Sequence, residues 1–288
     1  MALPDLFLIG AQKAGTTSLH HYLDQHPQIS MSSVKEPRWF SWMDWPDGDE
    51  GAIRDRQAYE ALFADADTLR ARFGGHAAVG ESSTDLLYAP GAPQRVHDLV
   101  PAARIVVLLR QPAERAYSNW LHARREDREP LGFEEALDAE EERIAAGWGP
   151  MWHYAGKSRY APQLERWQTH FPRLHVALTE DLDADPVAVC QAIFGVLGVE
   201  RAFLPSCRER YHVGSAPRGV TAEGQLHRAL VAFGARVPWP YRRQIRDALF
   251  PRQQIDPELR RRVTERYFSA DIEATAGRIG RDLSAWLP

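Results

Sequence analysis

The chain has 288 residues, 44% of them hydrophobic, with a formal net charge of −4 and a pI near 6.3. That balance argues against general polyanion binding, nucleic acid included, because such affinity comes from many neutralised phosphates; any anion site must be local. The two cysteines, Cys190 and Cys207, come without a CxxC or HExxH pattern, so neither a disulfide framework nor a metal site is expected.

The opening MALPDLFLIGAQ has no basic leader, and its run of about five apolar residues is too short for a signal peptide or a membrane span. A soluble, cytoplasmic protein is the expectation, in one domain over residues 1–288. Leu6 to Gly10 has the look of a buried strand closed by glycine. From Thr16 the period changes: Leu19, Tyr22, Leu23 and His26 share one face of a helix that Pro27 stops. Gln28 to Ser32 suits a brief strand, while Lys35 to Trp45 (KEPRWFSWMDW) follows neither period. Ala77 to Gly80 is a further short strand, running into Glu81, Ser82 and Ser83.

Arg104 to Leu109 (RIVVLL) is the clearest buried strand, followed at once by Arg110 and by Pro112 at a first-turn helix position. Ala113 to Arg124, Phe133 to Ala146 and Tyr160 to His170 are expected as helices, then Leu174 to Leu178 as a strand. Asp185 should cap a helix from Pro186 to Leu197, and after a Gly/Pro-bearing loop, Tyr211 to Val220, the rest is helical, including Pro257 to Gly277. Strands alternating with helices specify an α/β fold, a phosphate-loop-like, mainly parallel sheet flanked by helices, with a helical C-terminal part.

Three stretches carry chemistry. In LFLIGAQKAGTTSL, Gly10 and Gly15 stand as in a triphosphate loop, yet Thr16 occupies the usual lysine position and Lys13 lies before the second glycine. Such a loop directs the amides of Gly15, Thr16, Thr17 and Ser18 to one spot at a helix N-terminus, which suits an anion; a plain glycine turn with a surface lysine satisfies the pattern too. Only three of the 35 basic residues are lysines, Lys13, Lys35 and Lys157. That bias marks them for roles needing a compact ammonium rather than a planar fork. Arg110, at the carboxyl end of the clear strand, and Ser118 in the following helix are placed to grip one phosphate, or Arg110 pairs with Glu114. In VKEPRWF, Glu36 is a candidate base among aromatic residues, or a solvated glutamate.

IGAQKAGTTSL, KEPRWF and RIVVLLRQPAERAYSNW, in that order, resemble sulfotransferases that use 3′-phosphoadenosine 5′-phosphosulfate, in the bacterial and carbohydrate-type branch related to heparan sulfate sulfotransferases. YAPQLERWQTHFP and GRDLSAWL resemble later segments of that branch. The resemblance implies that Lys13, Ala14, Gly15, Thr16, Thr17 and Ser18 hold the 5′-phosphosulfate, with Lys13 over the bridging oxygen and no bound metal. It further implies that Arg110 and Ser118 hold the 3′-phosphate, that Arg218 in YHVGSAPRG adds a third contact, and that Glu36 is the general base. Lys35, Trp39, Phe40 and Ser83 are the expected acceptor contacts. His20, His21, His26 and His153 stand in no motif. ESSTDLLY has serines where relatives acting on heparan sulfate carry a lysine, so a small glycoside, lipid or secondary metabolite is expected before a long sulfated polymer. The competing classes are an ATP-using kinase or hydrolase, which calls for a lysine after Gly15 and a metal-binding aspartate, and an inactive cofactor-binding module.

Overall fold

Leu6–Leu8 forms β1, fully buried, at the centre of a five-stranded sheet. The other strands are β2 (Ile29–Met31), β3 (Ala78–Ser82), β4 (Arg104–Leu109) and β5 (Leu174–Leu178), in the order β2-β3-β1-β4-β5. Every neighbouring pair is parallel. The computed structural model describes residues 3–45, 51–63, 65–207 and 254–288. A sheet covered on both faces buries both sides of each strand, which is why β1 and β4 read as continuous apolar runs rather than alternating ones.

The flanking helices are α1 (Thr16–Leu23), α2 (Arg56–Ala61), α3 (Ala66–Phe73), α4 (Ala92–Leu99), α5 (Pro112–Arg125), α6 (Phe133–Asp138), α7 (Glu140–Ala145), α8 (Tyr160–His170), α9 (Thr179–Ala184), α10 (Pro186–Leu197), α11 (Pro257–Tyr267) and α12 (Ser269–Ile279). Asp185 caps α10 as expected, its carboxylate accepting the Ala188 amide at 2.9 Å. Two of the expected helices are each divided. The first is interrupted at Ala139, between α6, whose Phe133, Ala136 and Leu137 pack inward, and α7, whose Glu140 reaches the 155–156 turn. The second breaks at Phe268, whose ring is inserted into the core at 1% exposure. Helices α2, α3, α4 and α9 are additions to the sequence reading.

Because all strands run the same way, the loops after β1, β3, β4 and β5 gather at one edge of the sheet. Open parallel sheets present ligand sites there. No helix among the described residues is long and apolar enough to cross a membrane.

Candidate active site

The loop after β1 is stitched to the neighbouring strand. Ala11 donates to the Leu108 carbonyl at 2.6 Å, and Leu108 donates back to Gly10 at 2.7 Å. Gly10 sits at φ 154°, and a Cβ there would lie 2.8 Å from the Leu87 Cβ and 3.1 Å from the Thr84 carbonyl, so only glycine fits. Lys13 takes a left-handed conformation, φ 71°, which costs a residue with a Cβ about 1 kcal/mol. Its neighbours hold it there: Arg110 donates to the Lys13 carbonyl at 3.2 Å, and Thr179 Oγ1, at the start of α9, donates to the Ala14 carbonyl at 2.8 Å. Gly15, at φ 103°, opens α1 without a side-chain cap, and no acid lies in the first turn formed by Thr16, Thr17 and Ser18. The positive end of the helix dipole therefore meets no acid from the helix's own first turn.

The electrostatics favour an anion at this spot. Burial, then the charges of Arg125, Arg115 and Lys157, push the Lys13 ammonium down to about 8, against the opposing pull of Glu126. His122 is pushed down to about 4, by burial first and then by Lys13. His122 lies one turn beyond Ser118 on α5, so Lys13 and the Ser118 face of that helix look onto a common space. Arg110 forks onto Glu114 at 3.1 and 3.3 Å, and Arg260 of α11 reaches the same carboxylate at 3.4 Å. The Arg110–Glu114 pairing that the sequence left open is thus present, at the strand end facing the loop.

Glu36 occupies the next edge position. Its amide donates to the Ser82 carbonyl at 2.9 Å, and Ser82 is the residue of β3 that pairs with Leu8 of β1. Its backbone is also left-handed, φ 62°, as is that of Arg38, φ 57°. The carboxylate accepts the Thr84 amide at 2.8 Å, the Thr84 hydroxyl at 3.0 Å and the Lys35 ammonium at 2.5 Å, and its side chain keeps 22% exposure. Behind it, fully buried Glu81 is pushed up to about 7 by burial, with the Glu36 charge adding to the rise, while the Tyr59 hydroxyl donates to it at 2.8 Å. His20 is pushed down to about 3 by burial and then by Lys35, and its Nδ1 lies 2.9 Å from the Ser82 hydroxyl.

The expected acceptor contacts separate into two layers. Lys35 pairs with Glu36, and half-buried Trp39, three residues further on, is stacked on Tyr59 at 4.7 Å and 15°. Phe40, 1% exposed, is packed edge-on against Phe7, and Ser83, 0% exposed, accepts the Arg38 amide at 2.9 Å. Both stand a layer behind the surface and shape the Glu36 loop, because the loop folds down over the end of β3. Arg218 lies outside the described residues. Sequence reasoning passed over Arg125 and His122, although the latter is offset by four from Ser118. It also passed over Tyr59, for which no local signal exists.

Residues 4–202 match the family model described as "Sulfotransferase family". The chain belongs to the sulfotransferase family. This sulfotransferase is similar in structure to a sulfotransferase from Alicyclobacillus acidocaldarius, with 34% identity, a TM-score of 0.76 and 99% of each chain covered. In sequence it is 30% identical over 207 residues to the bifunctional heparan sulfate N-deacetylase/N-sulfotransferase 4 of Mus musculus, covering 68% of this chain and 22% of that protein. A Drosophila melanogaster bifunctional heparan sulfate N-deacetylase/N-sulfotransferase is 27% identical over 222 residues, 74% of this chain and 21% of that one. The sulfotransferase thus spans only 21–22% of the length of these curated relatives. Kinship with heparan sulfate sulfotransferases and the parallel sheet flanked by helices are as the sequence motifs implied.

Proposed function

We propose that this sulfotransferase, acting as one domain in the cytoplasm, moves the sulfuryl group of 3′-phosphoadenosine 5′-phosphosulfate to a hydroxyl or amine of a glycan or small-molecule acceptor. The observation that carries the reading is the placement of Lys13 and Glu36. Each is a residue other than glycine held in the left-handed region, Lys13 on the loop after β1 and Glu36 on the loop after β2, where its amide ties it to the end of β3, the strand that lies between the two, and backbone strain of this kind is retained where a site requires it. The donor set suits the co-substrate: an uncapped helix start, three hydroxyls, a half-buried ammonium and a strand-end arginine are all anion ligands.

When bound, the donor supplies an electrophilic sulfur whose leaving group is a phosphate oxygen. The Glu36 carboxylate takes the proton of the attacking acceptor oxygen or nitrogen, and Thr84, donating to it through amide and hydroxyl, fixes its direction. As the new bond to sulfur forms and the old S–O bond breaks, the electron pair stays on the bridging oxygen. Lys13, with the amides of Gly15 to Ser18, meets the charge growing there, and fixed donors of this kind are the largest single source of rate. Arg110 and Ser118 receive the 3′-phosphate, Arg110 exchanging Glu114 for it, with Arg218 as a third contact. Lys35 and Trp39 face the acceptor. The kinship with heparan sulfate N-sulfotransferases supports a sugar acceptor and keeps an amine nucleophile in play.

Calorimetry with adenosine 3′,5′-bisphosphate tests the reading. Micromolar or tighter binding without metal is expected; binding of ATP with Mg²⁺ and not of the bisphosphate overturns it in favour of a nucleotide kinase or hydrolase.

A further inference from the structure

The third lysine of this lysine-poor chain is not used by the chemistry above, yet it is the most enclosed. Lys157 is 5% exposed. Its ammonium donates to Gln12 Oε1 at 3.2 Å and to Asp85 Oδ1 at 2.7 Å, and the other oxygen of Asp85 lies 3.6 Å from Arg38 Nε. Gln12 directly precedes Lys13, and Arg38 follows Glu36 by two residues. One continuous polar chain, Gln12 to Lys157 to Asp85 to Arg38, therefore runs from the loop after β1 to the loop carrying Glu36.

The two middle members of that chain are anchored. Lys157 sits on a turn whose preceding amides, Ala155 and Gly156, both donate to Glu140, at 2.6 and 2.7 Å. Asp85 accepts the Tyr88 and Ala89 amides through its carbonyl, at 3.1 and 2.9 Å, so its own backbone is fixed. Burial would push the Asp85 carboxyl up, but Lys157 and then Arg38 hold it below its ordinary value, so it stays an anion. A compact ammonium can donate to two partners on different loops, which a planar fork does with more difficulty. A buried pair is weak evidence of a stability role, since apolar side chains of like volume serve as well or better. What it can uniquely do is fix two elements in one register.

We propose that Lys157 is a positioning residue that couples occupancy of the Lys13 loop to the order of the Glu36 loop, so that the base is held in place when the donor anion arrives. The inference rests on the functional reading above. Ligand binding that draws the Lys13 loop tight pulls on Gln12, and through Lys157 and Asp85 it steadies Arg38 and the backbone of Glu36. Both Arg38 and Glu36 lie in the left-handed region and need such support.

Hydrogen–deuterium exchange on the full chain, with and without adenosine 3′,5′-bisphosphate, separates the possibilities. In the unaltered chain the ligand is expected to slow exchange at residues 10–18 and, by about fivefold or more, at 34–42. In Lys157→Met the protection at 10–18 should persist while that at 34–42 disappears. The double variant Asp85→Asn/Lys157→Met removes both charges of the buried Lys157–Asp85 pair, so neither is left facing an empty place, and it should behave in the same way; it decides the matter if the single variant fails to fold. Equal protection of 34–42 with and without Lys157 overturns the coupling, as does a loss at both segments that merely follows lost affinity. Absence of protection at 10–18 in the unaltered chain overturns the donor assignment itself, whereas protection there without any at 34–42 overturns only the coupling.

Discussion

The titration of Lys13 offers a direct measure of whether an anion sits where proposed. Burial, Arg125 and Arg115 bring its ammonium from 10.5 to about 8, so the protonated fraction is about 0.9 at pH 7 and about 0.1 at pH 9. If the ammonium form alone holds the ligand's 5′-phosphate, the affinity for adenosine 3′,5′-bisphosphate falls about tenfold between those pH values. A lysine at its ordinary value would leave the affinity flat. The phosphates do not supply the slope, since their second ionisation, near 6, is nearly complete above pH 7. The sign is that of a group protonated in the complex: binding is strongest below pH 8 and weakens as pH rises through it. Calorimetry in two buffers of different ionisation enthalpy should show uptake of about 0.9 proton per ligand at pH 9 and about 0.1 at pH 7. Arg125→Gln, which removes the largest neighbouring charge, should move the falling limb to higher pH. A flat profile in the unaltered chain, or the same slope in Lys13→Met, would refute the reasoning.

Glu36→Gln is expected to keep bisphosphate affinity within about twofold while lowering sulfuryl transfer to amino-sugar acceptors by about 10²–10⁴; unchanged turnover would move the base elsewhere. Arg110→Met should weaken adenosine 3′,5′-bisphosphate by about 10–100-fold, as loss of a charged hydrogen bond does, and leave adenosine 5′-monophosphate unaffected. Parallel losses for both nucleotides would place Arg110 away from the 3′-phosphate. Glu129 is fully buried and takes a fork from Arg143 at 2.6 and 2.9 Å and the Tyr154 hydroxyl at 2.8 Å. Glu129→Ala strands the Arg143 charge at a cost of about 3 kcal/mol, which lowers the thermal midpoint by roughly 6–12 °C. A midpoint within error of the parent would show that Arg143 finds water instead.

The sequence was most legible where the physics is local. RIVVLL forms β4 with the expected bounds, and the glycine loop does lead from β1 into α1, because burial on both faces and a φ that only glycine tolerates leave direct marks in residue type. Short helices such as α2 and α3 left weak marks, since few of their positions are buried: Tyr59 in the first and Ala66 in the second. Trp39 and Phe40 are adjacent and look alike in sequence, yet only the second is sealed by Phe7. Lys157 announced itself through scarcity alone. Its partners stand 72 and 145 residues away in the chain, a separation that no window of pattern can bridge.

The strand order has a consequence for how this molecule is made. β1 leaves the ribosome before either of its partners, β3 and β4, so Leu6 waits for Gly80 on one side and Arg104 on the other. The backbone of the Lys13 loop takes bonds to Val106, Leu108, Arg110 and Thr179, all far later in the chain. Pairings over such separations are late and slow, because the intervening chain must be closed before any contact repays it. The earliest-synthesised part of the site is thus among the last to take shape, and during translation its apolar strand remains a bare edge that a growing chain must keep from its neighbours.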